Sequence, residues 1–286
     1  MRPRPAALAL RTNDDSLRAD PRGAARGLAS AWRGRVAQMR RTGLRVVTWN
    51  VWFNSWEREL RQRALWAEIA ENDPDIICLQ EVIPAHLAGP ELDDLRDRGY
   101  WVSDEPIDRY DVVMATRRPV LESERVPLPS IMGRNLLVVR LDTRPALTVA
   151  TVHLESTAEM TARRCRQLTE IDARLASEAD VLLLGDMNFP DGARPEAAIL
   201  AGWTDVWTAC HPGDPGFTVD SEVNAMRAQI KPGTKRERID RVFHRGAGWQ
   251  AIDIERLGTR PCAFDPPLAP VFVSDHFGLR VDLVRS

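Results

Sequence analysis

Val181-Leu182-Leu183-Leu184-Gly185-Asp186-Met187-Asn188 is the stretch that decides the fold. Side chains of a strand alternate between its faces, so four consecutive apolar residues put hydrocarbon on both. Such a strand suits a sheet that is covered on each side. The run then ends in a carboxylate and an amide that an apolar strand does not need for its own stability, and strand ends are where sites are usually built. Asp186 and Asn188 have one residue between them, so in extended backbone both side chains point to the same side. Gly185 lets the backbone turn closely around a ligand. Taken alone, the same residues also suit an Asx-turn.

The apolar pattern recurs outward in both directions. Leu44–Asn50, Ile76–Gln80, Asp111–Ala115, Leu136–Leu141, Leu147–His153, Ile239–Phe243 and Phe272–Leu283 read as further strands. Glu57–Glu71, Leu92–Arg98 and Glu159–Ser177 read as helices, the first ended by Pro74. Strands and helices mix without strict βαβ alternation. That favours two packed mixed sheets with helices outside them, an α/β sandwich, over one doubly wound sheet.

The chain has 286 residues, 44% of them apolar, enough for one large core spanning residues 44–286 behind an N-terminal extension. Residues 1–43 hold ten arginines, no lysine and three aspartates, along with Pro3, Pro5 and Pro21. They read as a flexible or loosely docked arm, with one helix-compatible stretch at Gly27–Arg41. The formal net charge is −2, so the arm's surplus of seven positive charges leaves −9 on the remainder. An acidic body suits a cation site and counts against tight, sequence-blind wrapping of duplex DNA.

No apolar run approaches the ~20 residues of a membrane span, and a secretory leader is not expected, so the cytoplasm is the expected location. Cys78, Cys165, Cys210 and Cys262 lack ligand or framework spacing, which argues against zinc and against disulfides.

Other strands also close on polar groups. Val46-Val47-Thr48-Trp49-Asn50 ends in an amide and Ile76-Ile77-Cys78-Leu79-Gln80-Glu81 in a carboxylate. Together Asn50 and Glu81 supply the hard oxygen ligands with which Mg²⁺ is usually held. Thr148–Thr157 ends an apolar alternation at His153, where a lone histidine is more often structural than catalytic. Ser274-Asp275-His276 has a partner strand in Arg238–Phe243, where Asp240 could fix the His276 tautomer and keep it charged. His86, His211 and His244 fall in no such context.

This ordered set of segments resembles the endonuclease/exonuclease/phosphatase superfamily. Within it, His153-Leu154-Glu155-Ser156-Thr157, Arg164, Gln167-Leu168, Leu79–Pro84, Arg134-Asn135-Leu136-Leu137 and Asp205-Val206-Trp207 are similar to the tyrosyl-DNA phosphodiesterase type 2 branch. The resemblance covers about residues 45–285. It implies a DNase I-like four-layer α/β sandwich with its site between two sheets.

The resemblance also implies roles. Glu81, Asn50 and Asp275 hold Mg²⁺, with Mn²⁺ able to substitute. Asp186 takes the proton of the attacking water, Asn188 places that water, and His153 and His276 stabilise the phosphorane, Asp240 orienting His276. Asn188, His153 and Arg164 contact substrate. The implied partner is a phosphoester, protein-linked DNA or a single-stranded DNA 5′ end, acted on in DNA repair by a monomer.

Two alternatives stay open: a phosphatase or phosphodiesterase of a lipid, sugar or nucleotide phosphate on the same fold, and an inactive binding module. The chain also departs from the family pattern. Trp52 stands where many members carry a carboxylate, and Val219 and Ile239 stand where animal members tend to place aromatics beside DNA.

Overall fold

The structure, a computed structural model, describes residues 43–103, 105–231, 233–263 and 270–286. The expected arm, including Gly27–Arg41, lies outside them. In chain order the elements are β1 (Leu44–Asn50), α1 (Arg58–Asn72), β2 (Ile76–Val82), α2 (Pro84–Leu87), α3 (Pro90–Asp97), β3 (Trp101–Val102), β4 (Asp111–Thr116), β5 (Val120–Pro127), β6 (Asn135–Leu141) and β7 (Leu147–His153). There follow α4 (Thr161–Leu175), β8 (Val181–Asp186), α5 (Arg194–Ile199), β9 (Thr204–Asp205), α6 (Val206–Cys210), β10 (Val219–Asp220), α7 (Ala225–Ile230), β11 (Arg236–Glu237), β12 (Asp240–Arg245), β13 (Trp249–Leu257) and β14 (Gly278–Arg285).

Two six-stranded sheets form, in the orders β13-β14-β1-β2-β4-β3 and β5-β6-β7-β8-β12-β9, beside a small β10-β11 ribbon. Each large sheet is mixed, because β1–β2 and β7–β8 run parallel while their other pairings are antiparallel. The apolar run of β8 shows why two sheets are needed. Leu182 and Leu184 point into the space between the sheets, where they meet Val46, Ile76 and Met114. Val181 and Leu183 point the other way, onto Leu168, Ile171 and Leu175 of α4. The first sheet does the same: Val47, Ile77 and Leu79 pack outward against Leu65 and Ile69 of α1 and Leu92 of α3. Burial of each such side chain contributes roughly 1.5–3 kcal/mol, and the result is a four-layer α/β sandwich. Helix α1 ends where Asp73 turns left-handed at φ 45°, ahead of Pro74.

Two edge strands, β5 and β13, escape the sequence reading because their exposed and half-buried positions carry Glu122, Glu124, Gln250 and Glu255. Charged residues are what exposed sheet edges use to prevent further pairing. The expected strand Phe272–Leu283 begins only at Gly278. Before it, Ser274 Oγ donates to the Asn50 carbonyl at 2.6 Å and accepts from the His276 N–H at 3.2 Å, so side-chain bonds replace a ladder.

The start of β12 is held from outside the sheet. Arg238 donates to Asp205 Oδ1 and Oδ2 at 2.8 and 2.7 Å, and Arg241 Nε donates to the same carboxylate at 3.1 Å. Burial alone would raise the Asp205 carboxyl, but Arg241 and Arg238 outweigh it and hold it below its ordinary value. A depressed folded pKa means that the ionised form stabilises the fold above the unfolded value near ~3.9, and that this stability is lost as pH falls through the folded value. Asp205→Asn is therefore expected to lower the unfolding free energy by about 3–5 kcal/mol near neutral pH, since it leaves buried guanidinium groups short of a partner. Urea unfolding of both proteins checks this, and the difference should shrink below about pH 4.

Candidate active site

Strand register assembles the polar groups. His153 lies opposite Asp186 across β7–β8, and Asp240 lies opposite Asp186 across β12–β8, so three chemistry-bearing side chains form a row at one end of the second sheet. In the first sheet Asn50 is opposite Gln80, one residue before Glu81. The Asn50 amide joins the two sheets: its Nδ2 donates to Glu81 Oε1 at 3.1 Å and to Asp186 Oδ2 at 2.9 Å.

Strained backbone gathers here among the described residues. Trp52, Glu81 and Asn188 have φ of 58°, 59° and 53°, and Gly185 has 133°, a clustering typical of functional sites. A Cβ on Gly185 would sit 2.0 Å from the Val152 carbonyl oxygen, so only glycine allows β7 and β8 this approach. Asp186 and Asn188 do not stay extended. The Asn188 N–H bonds to Asp186 Oδ1 at 2.9 Å, an Asx-turn. That turn carries Asn188 Nδ2 onto the Leu154 carbonyl (3.0 Å) and Ser156 Oγ (3.3 Å), leaving Oδ1 as its acceptor.

The two imidazoles differ. His276 Nδ1 is 2.8 Å from Asp240 Oδ2. Burial opposes its charge, but Asp240, Asp275 and Asp186 prevail and push its pKa up to about 10. His153 Nε2 is 3.3 Å from Asp186 Oδ2; burial, Arg134 and His276 drive its pKa well below 6.5, so it is neutral. Burial and Asp240 raise Asp186 itself to about 6, against the pull of His276 and Asn50.

The donors present fit a hard cation. Among the described residues, Asp186, Asp240 and His276 offer ligand atoms within 4.8 Å of one another, but His276 Nδ1 is already engaged by Asp240. Asp240 Oδ1 and Asp275 Oδ1 are buried without a hydrogen-bond partner, a costly arrangement that a divalent ion relieves. Asp275 Oδ2 binds Lys231 Nζ at 2.5 Å. Burial works to raise the Asp275 carboxyl, yet His276 and Lys231 hold it below its usual value.

Asn50 departs from expectation. Its Oδ1 accepts from the Trp52 N–H at 3.0 Å, because the neighbouring Glu81 and Asp186 carboxylates attract its N–H₂ side. It is a bridge between carboxylates rather than an oxygen ligand in this arrangement.

Arg164, expected at substrate, is 2% exposed. It donates to Glu196 Oε1 at 3.0 Å and to the Glu155 and Thr157 carbonyls at 3.1 and 2.5 Å, so it braces the turn after His153 from behind. Val219 and Ile239 are buried at 1% and 3% and offer no surface for stacking whatever their chemistry. Phe53 offers an exposed ring, its centroid 5.1 Å from Tyr110, and the Phe53 N–H donates to Glu81 Oε2 at 3.2 Å.

Sequence reasoning did not place Tyr110, Ser156 and Arg134 in the site. Arg134 Nη1 is 2.9 Å from His153 Nδ1 and its guanidinium lies 5.1 Å over Tyr110. The only sequence signal for it was its motif, since nothing in strand periodicity predicts which loop reaches a histidine.

An α/β sandwich whose sheets meet over buried carboxylates, an imidazolium and hard cation donors defines the class of metal-dependent phosphoester hydrolases. The chain belongs to the Endonuclease/Exonuclease/phosphatase family, which it matches over residues 47–276. It is 30% identical over 262 residues to Tyrosyl-DNA phosphodiesterase 2 of Gallus gallus, covering 84% of this chain and 67% of that protein. To the Xenopus tropicalis protein of the same name it is 31% identical over 257 residues, covering 82% and 65%. The chain thus spans about two-thirds of the length of these curated relatives. Among solved structures it is similar to D. rerio TDP2 complexed with single strand DNA product, with 27% identity and a TM-score of 0.73 over 84% of this chain and 98% of that one.

Proposed function

We propose that this chain hydrolyses a phosphodiester at a DNA 5′ end, the 5′-phosphotyrosyl DNA adduct above all, in DNA repair, with Mg²⁺ as its ion and Mn²⁺ able to substitute. The observation that carries the reading is the row His153, Asp186, Asn50 and Glu81, in which hydrogen bonds from Asn50 to Asp186 and Glu81 join the two sheets and His153 Nε2 stands 3.3 Å from Asp186 Oδ2. The relatives' names and the DNA product held by the similar structure support the substrate.

Glu81 and Asp275 would hold the ion, which when bound supplies charge neutralisation at phosphoryl oxygens. Asp186 accepts the proton of the attacking water. Its raised pKa suits a base working near neutrality. Asn188 Oδ1 orients that water for displacement at phosphorus. His276, held charged by Asp240, and His153 donate to the developing phosphorane oxygens. The four cysteines are free, which supports a cytoplasmic home. Large apolar side chains exposed among the described residues are scattered and few, which supports a monomer.

The acidic body of residues 44–286 favours a second reading, a small soluble phosphate ester, because its 38 acidic residues outnumber its 29 basic ones and disfavour tracking of a long backbone. A panel of 5′-phosphotyrosyl DNA, an abasic duplex, plain DNA and a soluble phosphate ester separates the two. Turnover confined to the soluble ester overturns the DNA substrate. Excess EDTA is expected to abolish turnover and added Mg²⁺ to restore it. Full activity in chelator would remove the metal assignment, and no turnover of any ester would favour a binding module.

A further inference from the structure

A guanidinium has five N–H donors and no acceptor, and it stays protonated in proteins. His153 Nδ1 lies 2.9 Å from Arg134 Nη1, so Nδ1 can enter that contact only as a bare lone pair. The ring's proton then sits on Nε2, which faces Asp186 Oδ2 at 3.3 Å. We infer that Arg134 is a positioning residue that locks His153 as its neutral Nε2–H tautomer, and that the Ser130 hydroxyl anchored on buried Glu155 holds Arg134 in place to do so. The inference rests on the reading of this row as the active site.

The arrangement behind Arg134 is built for that task. Glu155 is fully buried. It accepts from Ser130 Oγ at 2.6 Å and from the Ile131 N–H at 3.1 Å. The Ser130 oxygen in turn accepts from the Met132 and Arg134 backbone N–H groups at 2.9 and 3.0 Å. The loop is thus wound around one hydroxyl anchored on one carboxylate. The Arg134 side chain is steered from two further sides, by Ser156 Oγ at 2.8 Å and by the Tyr110 ring. Ser156 Oγ also accepts from Asn188 Nδ2 at 3.3 Å, so the loop's order reaches the turn that follows Asp186.

The consequence is a division of labour between two histidines that the sequence presents alike. His276 is backed by a carboxylate and is an imidazolium. His153 is backed by a cation and is not. The groups facing His153 are Arg134, Tyr110, Asp186 and His276, and of these only Asp186 favours a second proton on the ring. Without Arg134, Nδ1 becomes free to protonate, and His153 would form an imidazolium pair with Asp186. That pairing draws on the same carboxylate lone pairs that accept a proton from water, so Asp186 would be a poorer base.

The test uses the full chain labelled with ¹⁵N-histidine, the His153 signals being assigned by their loss in His153→Gln. Long-range proton–nitrogen spectra at neutral pH should show His153 with an unprotonated Nδ1 and a protonated Nε2. A proton on Nδ1, alone or with Nε2, overturns the inference whatever the enzyme's activity. In Arg134→Met the His153 resonance should shift toward the doubly protonated form and its titration should move upward. Arg134→Lys, also donor-only, should restore the wild-type pattern. An Arg134→Met protein that keeps both the wild-type tautomer and the wild-type titration shows that Arg134 is not the determinant. Glu155→Gln is expected to lie between wild type and Arg134→Met in the same spectra. Since the readout is a nitrogen shift, it stands or falls separately from turnover on any substrate.

Discussion

Asp186→Asn is expected to fold and to bind its cation, but to turn over about 10²–10⁴-fold more slowly, the range over which a positioned general base contributes. The substitution keeps the size of a fully enclosed side chain and removes only its ability to take a proton. Its effect on stability comes from the hydrogen bonds. One amide oxygen can still accept from the Asn188 N–H, as Asp186 Oδ1 does at 2.9 Å. The amide nitrogen, however, would face Asn50 Nδ2, whose hydrogen bond Asp186 Oδ2 accepted, and His153 Nε2, which stood 3.3 Å from that oxygen. A mismatch of that kind costs about 1–3 kcal/mol, partly offset because a buried carboxylate no longer has to ionise. The measurement pairs single-turnover rates at saturating Mg²⁺ with thermal unfolding. An unchanged rate would remove Asp186 from its role, and a collapse of the fold would be visible in the second measurement.

Glu81→Gln should fail differently. Glu81 is held left-handed, its Oε2 accepting from the Phe53 N–H and its Oε1 from Asn50 Nδ2. Glutamine can keep the first of these bonds, so the loop between β1 and α1 should stay in place. What is lost is a negative charge at a seat where hard oxygen donors are required. Removing a group that merely orients a ligand weakens metal binding by about 10–100-fold, so loss of the ligand itself should weaken it by on the order of 10²-fold or more. Calorimetric titration with Mg²⁺ or Mn²⁺ reads this directly, and partial recovery of turnover at high metal concentration is expected. Wild-type affinity in Glu81→Gln would transfer the ion to the neighbouring Asp186, Asp240 and His276 group. The two variants together separate proton transfer from cation binding, because Asp186→Asn should leave the titration close to wild type.

Much of this architecture is written locally. A four-residue hydrocarbon run such as Val181–Leu184 has to be covered twice, and Leu147–His153 and Leu44–Asn50 obey the same rule, so the doubly covered sheets follow from side-chain alternation. The residues that escape this logic are those at edges and turns. β5 and β13 carry charge on open faces, and Phe272–His276 has the apolarity of a strand but gives its His276 N–H to the Ser274 hydroxyl, which in turn donates to the Asn50 carbonyl.

The site divides in the same way. Asp186, Asn188, Glu81, His153, Asp240, Asp275 and His276 were recognisable because each ends or adjoins an apolar strand that has no use for it. Arg164 was misplaced because a motif gives proximity in sequence without direction: one helical turn into α4 its side chain points back into the protein, onto Glu196. Asn50 joins the row, but its amide turned the other way once two carboxylates became its neighbours.

By itself, the sequence determined that two covered sheets form and that hard oxygen and imidazole groups stand at their strand ends, since both follow from periodicity two and from residue chemistry. Only the tertiary structure decided how those groups are charged. His153 and His276 are the same side chain in similar settings, and what makes one neutral and the other cationic is a contact across 19 residues to Arg134 and another across 36 to Asp240. Protonation depends on the field of neighbours within a few ångströms, and folding alone chooses those neighbours.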